Sequence, residues 1–211
     1  MFRDRLDAAR QLAARLAAHR DAQATIVLGI PRGGVVVAAE IAAQLRLPLG
    51  IAPVRKVGAP GNPELAIGAV DDEYGQVLDP ALARALGLPE DQLARAAELA
   101  RAQLRTWLGG VPGARDWRQA GCTVILVDDG VATGYTARVA VEALRRHQAA
   151  RIVLTVPVAP PDTAAWLRPS VDEWVCLKTP ERFDAVGNFF ADWPQVTDDQ
   201  VRALLLVGNR M

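Results

Sequence analysis

Asp128 and Asp129 stand side by side, directly after the apolar run Val124-Ile125-Leu126-Val127. Adjacent carboxylates can accept hydrogen bonds from vicinal hydroxyls or bind a metal through water. A loop of mostly small residues follows, from Gly130 to Thr136, and then a helical pattern from Ala137 to Arg146. Loop amides at the start of a helix suit a phosphate group. One element could therefore hold a phosphorylated sugar. A plainer reading has Asp129 or Thr133 merely capping a helix; two adjacent acids followed by Thr-Gly-Tyr-Thr argue against it. A second group repeats the logic: Arg32-Gly33-Gly34 lies between an apolar run and a helical pattern, with glycines that admit close approach of an anion and a guanidinium fork for phosphate oxygens. The plainer alternative there is an ordinary turn with Arg32 in solvent. Arg55-Lys56 forms a third group at the end of another apolar run.

These groups need elements to hold them. Thr25 to Ile30, Leu49 to Val54, Val124 to Val127, Arg151 to Val158 and Glu173 to Leu177 read as strands, with short apolar runs bounded by polar or turn residues. Helices are predicted over 3–19, 35–45, 80–86, 89–107, 137–146 and 160–167, and after Asp198 as a cap. Gly109-Gly110-Val111-Pro112-Gly113 ends the 89–107 segment, and Trp107 and Trp117 read as packing residues. The run from Val57 to Pro63 is so dense in glycine and proline that regular structure is not expected there. Glu64 to Val70 could pair with Val77-Leu78 as a small edge hairpin. Alternating strands and helices predict an α/β fold, a doubly wound parallel sheet of about five strands with a helical insertion, in one domain over 1–211. Strand order should reverse between 25–30 and 123–128. Ligands in such sheets bind beyond the strand ends at that reversal, so the Arg32 and Asp128 loops should face each other.

The stretch from Val124 to Thr136 resembles the phosphoribosyl-diphosphate (PRPP) signature of type I phosphoribosyltransferases. The run from Arg55 to Ala69 and the run Phe189-Phe190-Ala191-Asp192-Trp193-Pro194-Gln195-Val196 are similar to a stand-alone bacterial group of that family. The resemblance implies that Asp128 and Asp129 lie against the ribose 2- and 3-hydroxyls and reach Mg2+ through water or ribose. It implies that Ala132, Thr133, Gly134, Tyr135 and Thr136 wrap the 5-phosphate, and that Arg32, Gly33 and Gly34 bind pyrophosphate. Arg55 and Lys56 become the catalytic cations on the leaving group, at the base of a loop over 57–76 that is mobile without ligand and ordered by Mg-PRPP. The implied activity is transfer of a 5-phosphoribosyl group from PRPP to a nitrogen nucleophile, a nucleobase or related small molecule, with release of pyrophosphate. Ala132 stands where hypoxanthine-guanine enzymes place an Asp base, which argues against a purine mechanism of that type. The alternative is a PRPP-sensing or nucleotide-binding regulator without catalysis.

The 211 residues carry 24 Lys+Arg against 24 Asp+Glu. That balance, with no basic helix-turn-helix segment, gives no expectation of nucleic-acid binding. No window is apolar enough to span a membrane, and no signal peptide is read at the N-terminus. Cys122 and Cys176 sit among apolar neighbours and read as buried thiols, and His19 and His147 lack zinc spacing. A cytoplasmic protein is expected, with a small-molecule acceptor and PRPP as partners, no membrane, and room for a homo-oligomer.

Overall fold

A computed structural model describes residues 1–111 and 120–208. Pro112, Gly113 and Trp117 lie outside the described residues. In chain order the elements are α1 (Arg5–Arg15), β1 (Thr25–Gly29), α2 (Gly33–Leu45), β2 (Leu49–Ile51), β3 (Val54–Ala59), β4 (Asn62–Asp71), β5 (Gln76–Leu78), α3 (Pro80–Ala85), α4 (Glu90–Leu108), β6 (Thr123–Val127), α5 (Tyr135–Arg146), β7 (Arg151–Val158), α6 (Pro161–Leu167), β8 (Glu173–Lys178) and α7 (Asp198–Gly208). Single 3-10 turns follow α1 and α6 and occupy Val186–Phe189.

The main sheet has five parallel strands in the order β2-β1-β6-β7-β8. Alternate side chains go to opposite faces, as the period of a strand requires. Val27, Ile125, Val127 and Val153 join α1, α2 and α7 on one face. Ile26, Leu28, Val124, Leu126, Ile152 and Leu154 join α5 and Leu167 of α6 on the other. Both faces are covered, so the strands read as unbroken apolar runs. Thr25 pairs with Thr123 and Gly29 with Val127. The expected neighbours are therefore neighbours, and the order reverses between them.

The stretch expected to be irregular is regular. β3, β4 and β5 form a separate antiparallel sheet, so the absence of regular structure expected over 57–63 is wrong, while the edge hairpin expected between 64–70 and Val77-Leu78 is present as β4 and β5. Pro60 and Gly61 are the two-residue turn between paired Ala59 and Asn62. Gly61 has φ +79°, and Pro followed by Gly at the two central positions is the type II pattern. Gly58 sits at a register shift, and a Cβ there would strike the Pro63 carbonyl. The glycines and prolines build the hairpin and its bulge. One face of this sheet packs Val57, Ile67 and Val70 against Ala83 of α3 and Leu93, Ala97 and Ala100 of α4.

Smaller expectations shift as well. The first helix stops at Arg15 and tightens into a 3-10 turn over Ala17–His19. The strand from Leu49 ends at Ile51, and Val54 begins β3. Pro89 is the N-cap of α4 and not its first residue. Asp198 is the first residue of α7 and not its cap: the Gln200 amide donates to Thr197 Oγ1 at 3.2 Å while Gln200 Oε1 accepts from the Thr197 amide at 2.9 Å. That reciprocal pair is a capping box. Cys122 and Cys176 are half-buried and form no disulfide.

Candidate functional site

β6 ends on the acidic pair and β1 ends on the glycine pair, side by side at the point where strand order reverses. Gly33 and Gly34 open α2. A Cβ on Gly33 would fall inside the Asp129 carboxylate, and one on Gly34 would lie 2.7 Å from the Val127 carbonyl oxygen and 3.0 Å from Asp128 Oδ1. The two loops are in direct contact. The carboxylate that needs the bare backbone of Gly33 is the protein's own.

Asp128 is buried and Asp129 half-buried. The Asp129 amide donates to Asp128 Oδ1 at 2.9 Å. Burial pushes the Asp128 carboxyl well up from the ordinary carboxylate range, and the charge of Asp129 adds to the rise. Burial raises Asp129 too, opposed by the Arg5 guanidinium. Arg5 Nε donates to Asp129 Oδ2 at 2.7 Å. Nothing in the sequence marked Arg5. It sits 124 positions from its partner, on a helix whose charged residues read as a solvent face.

The loop after the acids is anchored from behind. The Val131 amide donates to the Val158 carbonyl at 2.9 Å, and Thr163 Oγ1 donates to the Ala132 carbonyl at 2.7 Å. Ala132 and Thr133 are exposed and Thr136 is half-buried. Gly134 adopts φ +82° as the residue before α5, a left-handed conformation suited to glycine. Its Cβ position faces Thr163 Cγ2 at 2.9 Å and the Trp166 ring at 3.0 Å. An added side chain therefore strikes α6. The Tyr135 side chain departs from the expected phosphate role: its hydroxyl donates to Asp79 Oδ2 at 2.6 Å. Burial, with the Asp79 carboxylate, pushes that hydroxyl up to about 12. Only the backbone of Tyr135 remains at the helix start.

Gly134→Ala is expected to cost roughly 1–3 kcal/mol from the left-handed backbone, with the collision against α6 adding to it. Thermal unfolding measures the loss. Calorimetry with ribose 5-phosphate should show weaker binding, because the loop amides move with the backbone.

Arg32, Arg55 and Lys56 line one cavity of about 1040 Å3, together with Trp107, Gln195 and Asp198. Arg32 pairs with Asp198 at 3.6 Å, and Lys56 Nζ lies 2.9 Å from Glu64 Oε2 across the hairpin. Arg55 and Lys56 stand on a strand and not at the base of an irregular loop. Trp107 is half-buried, and its indole N–H has no hydrogen-bond partner among the described residues.

The acids and the loop at the start of α5 suit a phosphorylated sugar, and the three cations suit a polyanion; the cavity the cations line is bordered by Pro31 and Arg32 but not by Asp128, Asp129 or residues 132–136. Among the described residues no three His, Cys, Asp or Glu cluster as a metal site. Two carboxylates do suit Mg2+ when the substrate supplies further oxygens, so the donor set fits an ion arriving with a diphosphate. Among those residues no helix is long and apolar enough to cross a membrane.

The sequence pattern of the phosphoribosyl transferase domain family matches residues 3–189. Over all 211 residues the chain is 41% identical to Rv0571c of Mycobacterium tuberculosis H37Rv, provisionally named a phosphoribosyl transferase, and it covers 47% of that protein. The protein MT0597 from strain CDC 1551 matches to the same degree. The chain thus spans about half the length of these curated relatives. Among solved structures, TT1426 from Thermus thermophilus is similar with a TM-score of 0.75 and 42% identity, covering 98% of each chain.

Proposed function

The chain belongs to the phosphoribosyl transferase domain family, and on that premise we propose that it transfers a 5-phosphoribosyl group from PRPP to a small nitrogen nucleophile. The observation that carries this reading is the acidic pair at the end of β6, packed against Gly33 and Gly34 at the sheet's reversal point. Asp128 and Asp129 accept from the ribose hydroxyls. The amides from Ala132 to Thr136, with the hydroxyls of Thr133 and Thr136, surround the 5-phosphate. Arg32, Arg55 and Lys56, which line one cavity, meet the diphosphate.

In the reaction a nitrogen lone pair forms a bond to C1 of the ribose. The C1–oxygen bond to the diphosphate breaks, that electron pair leaves with pyrophosphate, and the acceptor nitrogen gives up its proton. The transition state is oxocarbenium-like, so positioning and charge stabilisation dominate. Cations on the leaving group act most strongly as its charge grows. Mg2+, when bound with PRPP, would be held by Asp128 and Asp129 through water or ribose and would neutralise diphosphate charge.

Pyrophosphate release from Mg-PRPP across a panel of nitrogen acceptors tests the reading, with release expected for at least one acceptor. Tight PRPP binding with no release for any acceptor would favour a sensor. The Asp128→Asn/Asp129→Asn double variant should weaken Mg-PRPP binding about tenfold or more, since a hydrogen bond to a charged group is worth roughly 1.5–3 kcal/mol. Calorimetry measures this, and unchanged affinity would remove the acids from the ribose.

A further inference from the structure

Arg5 is the first residue of α1. It is buried, and among the described residues its guanidinium meets the site and the chain segment beside it. Nε donates to Asp129 Oδ2 at 2.7 Å, and Nη1 donates to the Pro194 carbonyl at 2.7 Å. The guanidinium carbon lies 3.5 Å from the centre of the Trp193 ring. Both ends of this arrangement are anchored. Asp4 caps α1, accepting from the Asp7 amide at 2.7 Å. The Phe2 amide donates to the Phe189 carbonyl at 2.7 Å, the Ala191 amide to the Phe2 carbonyl at 2.8 Å, and the Asp192 amide to the Arg3 carbonyl at 2.9 Å. Phe190 packs on Phe2 and Trp193. The segment before α1 and the segment before α7 thus close over one guanidinium.

We propose that Arg5 is a positioning residue for sugar recognition, clamping one oxygen of Asp129 so that its remaining lone pairs face a ribose hydroxyl. An ionised carboxylate has about four acceptor sites, so the bond to Arg5 leaves acceptors for the ligand. Gly33 has no side chain and so leaves room for the carboxylate without fixing its rotamer; Arg5 selects the one observed. Lysine could supply the charge, but it cannot hold Asp129 and the Pro194 carbonyl in one planar fork while stacking on Trp193.

This inference rests on reading Asp129 as a ribose contact, and the test separates the two. Titration calorimetry compares ribose 5-phosphate with its 2-deoxy and 3-deoxy analogues on the full chain, for the wild type, Arg5→Gln and Arg5→Lys. The wild type should prefer ribose 5-phosphate over at least one analogue. In Arg5→Gln its affinity should fall about tenfold, while the analogue lacking the hydroxyl that meets Asp129 changes little, so the preference shrinks by that factor. Arg5→Lys should recover part of it. A general loss of structure would weaken all three ligands together. No preference in the wild type overturns the ribose reading and this inference with it. A wild-type preference that survives intact in folded Arg5→Gln, or in Arg5→Lys if the Gln variant does not fold, overturns the role of Arg5 alone.

Discussion

Replacing Asp71 by alanine is expected to destabilise the protein by about 3–5 kcal/mol, the usual cost of removing one partner from a buried ion pair. Asp71 is fully buried at the end of β4. Its Oδ1 accepts from the Gly75 amide at 2.7 Å and the Glu73 amide at 3.0 Å, closing the turn into β5. Arg101 of α4 reaches Oδ1 at 3.3 Å and also donates to the Asp71 and Gly75 carbonyls at 2.9 and 3.2 Å. Arg146 of α5 pairs with Oδ2. One carboxylate therefore joins the small sheet to α4 and to α5, the helix that follows Gly134. Without it, the Glu73 and Gly75 amides and the Arg146 guanidinium lose this acceptor, and Arg101 keeps its backbone carbonyls but loses the buried countercharge. For a chain of this size the loss corresponds to a fall in Tm of about 6–20 °C, read by calorimetric unfolding. Asp71→Asn, which keeps an acceptor oxygen, should lose less. A shift of only a degree or two in the alanine variant would show that the small sheet holds its place through apolar packing alone.

Gly33→Ala is expected to have the largest effect on binding for a single methyl group. The new Cβ would occupy the position of the Asp129 carboxylate, so Asp129 must rotate away or α2 must shift. Rotation breaks the 2.7 Å bond to Arg5, and a shift of α2 displaces the Arg32-Gly33-Gly34 loop from the acidic pair. Mg-PRPP affinity should fall by about tenfold or more, by the same hydrogen-bond energy that sets the cost of removing the acids. Overpacking should also lower stability by about 1–3 kcal/mol. Calorimetry at a temperature where circular dichroism reports native helix content separates these effects. Wild-type affinity in a folded variant would mean that ligand binding does not need Asp129 where the structure has it.

Gly33 shows how a motif can be read correctly in place and differently in detail. Its position between a strand and a helix identified the loop, and the structure puts that loop beside the acidic pair. The anion at its backbone, however, is Asp129. Tyr135 is similar: its place in the motif is a place in the backbone, while its hydroxyl belongs to Asp79. Gly134 needs its left-handed φ, but the collision that enforces glycine comes from α6. The hairpin from β3 to β4 is not legible in the sequence because Pro60-Gly61 reads equally as a break in structure and as the two-residue turn that it forms.

The amino-acid sequence alone determined the layered parallel sheet, its reversal between β1 and β6, and the loops that must face each other there. Those features follow from local periodicity and from residue types at strand ends, which are written in consecutive residues. Only the tertiary structure decided that Arg5 reaches Asp129, that Trp193 and Pro194 close over it, and that Asp71 gathers Arg101 and Arg146. A charged residue on a helix reads as solvent-facing unless its partner is known. That partner is chosen by strand order and crossover, which bring together groups 124 positions apart.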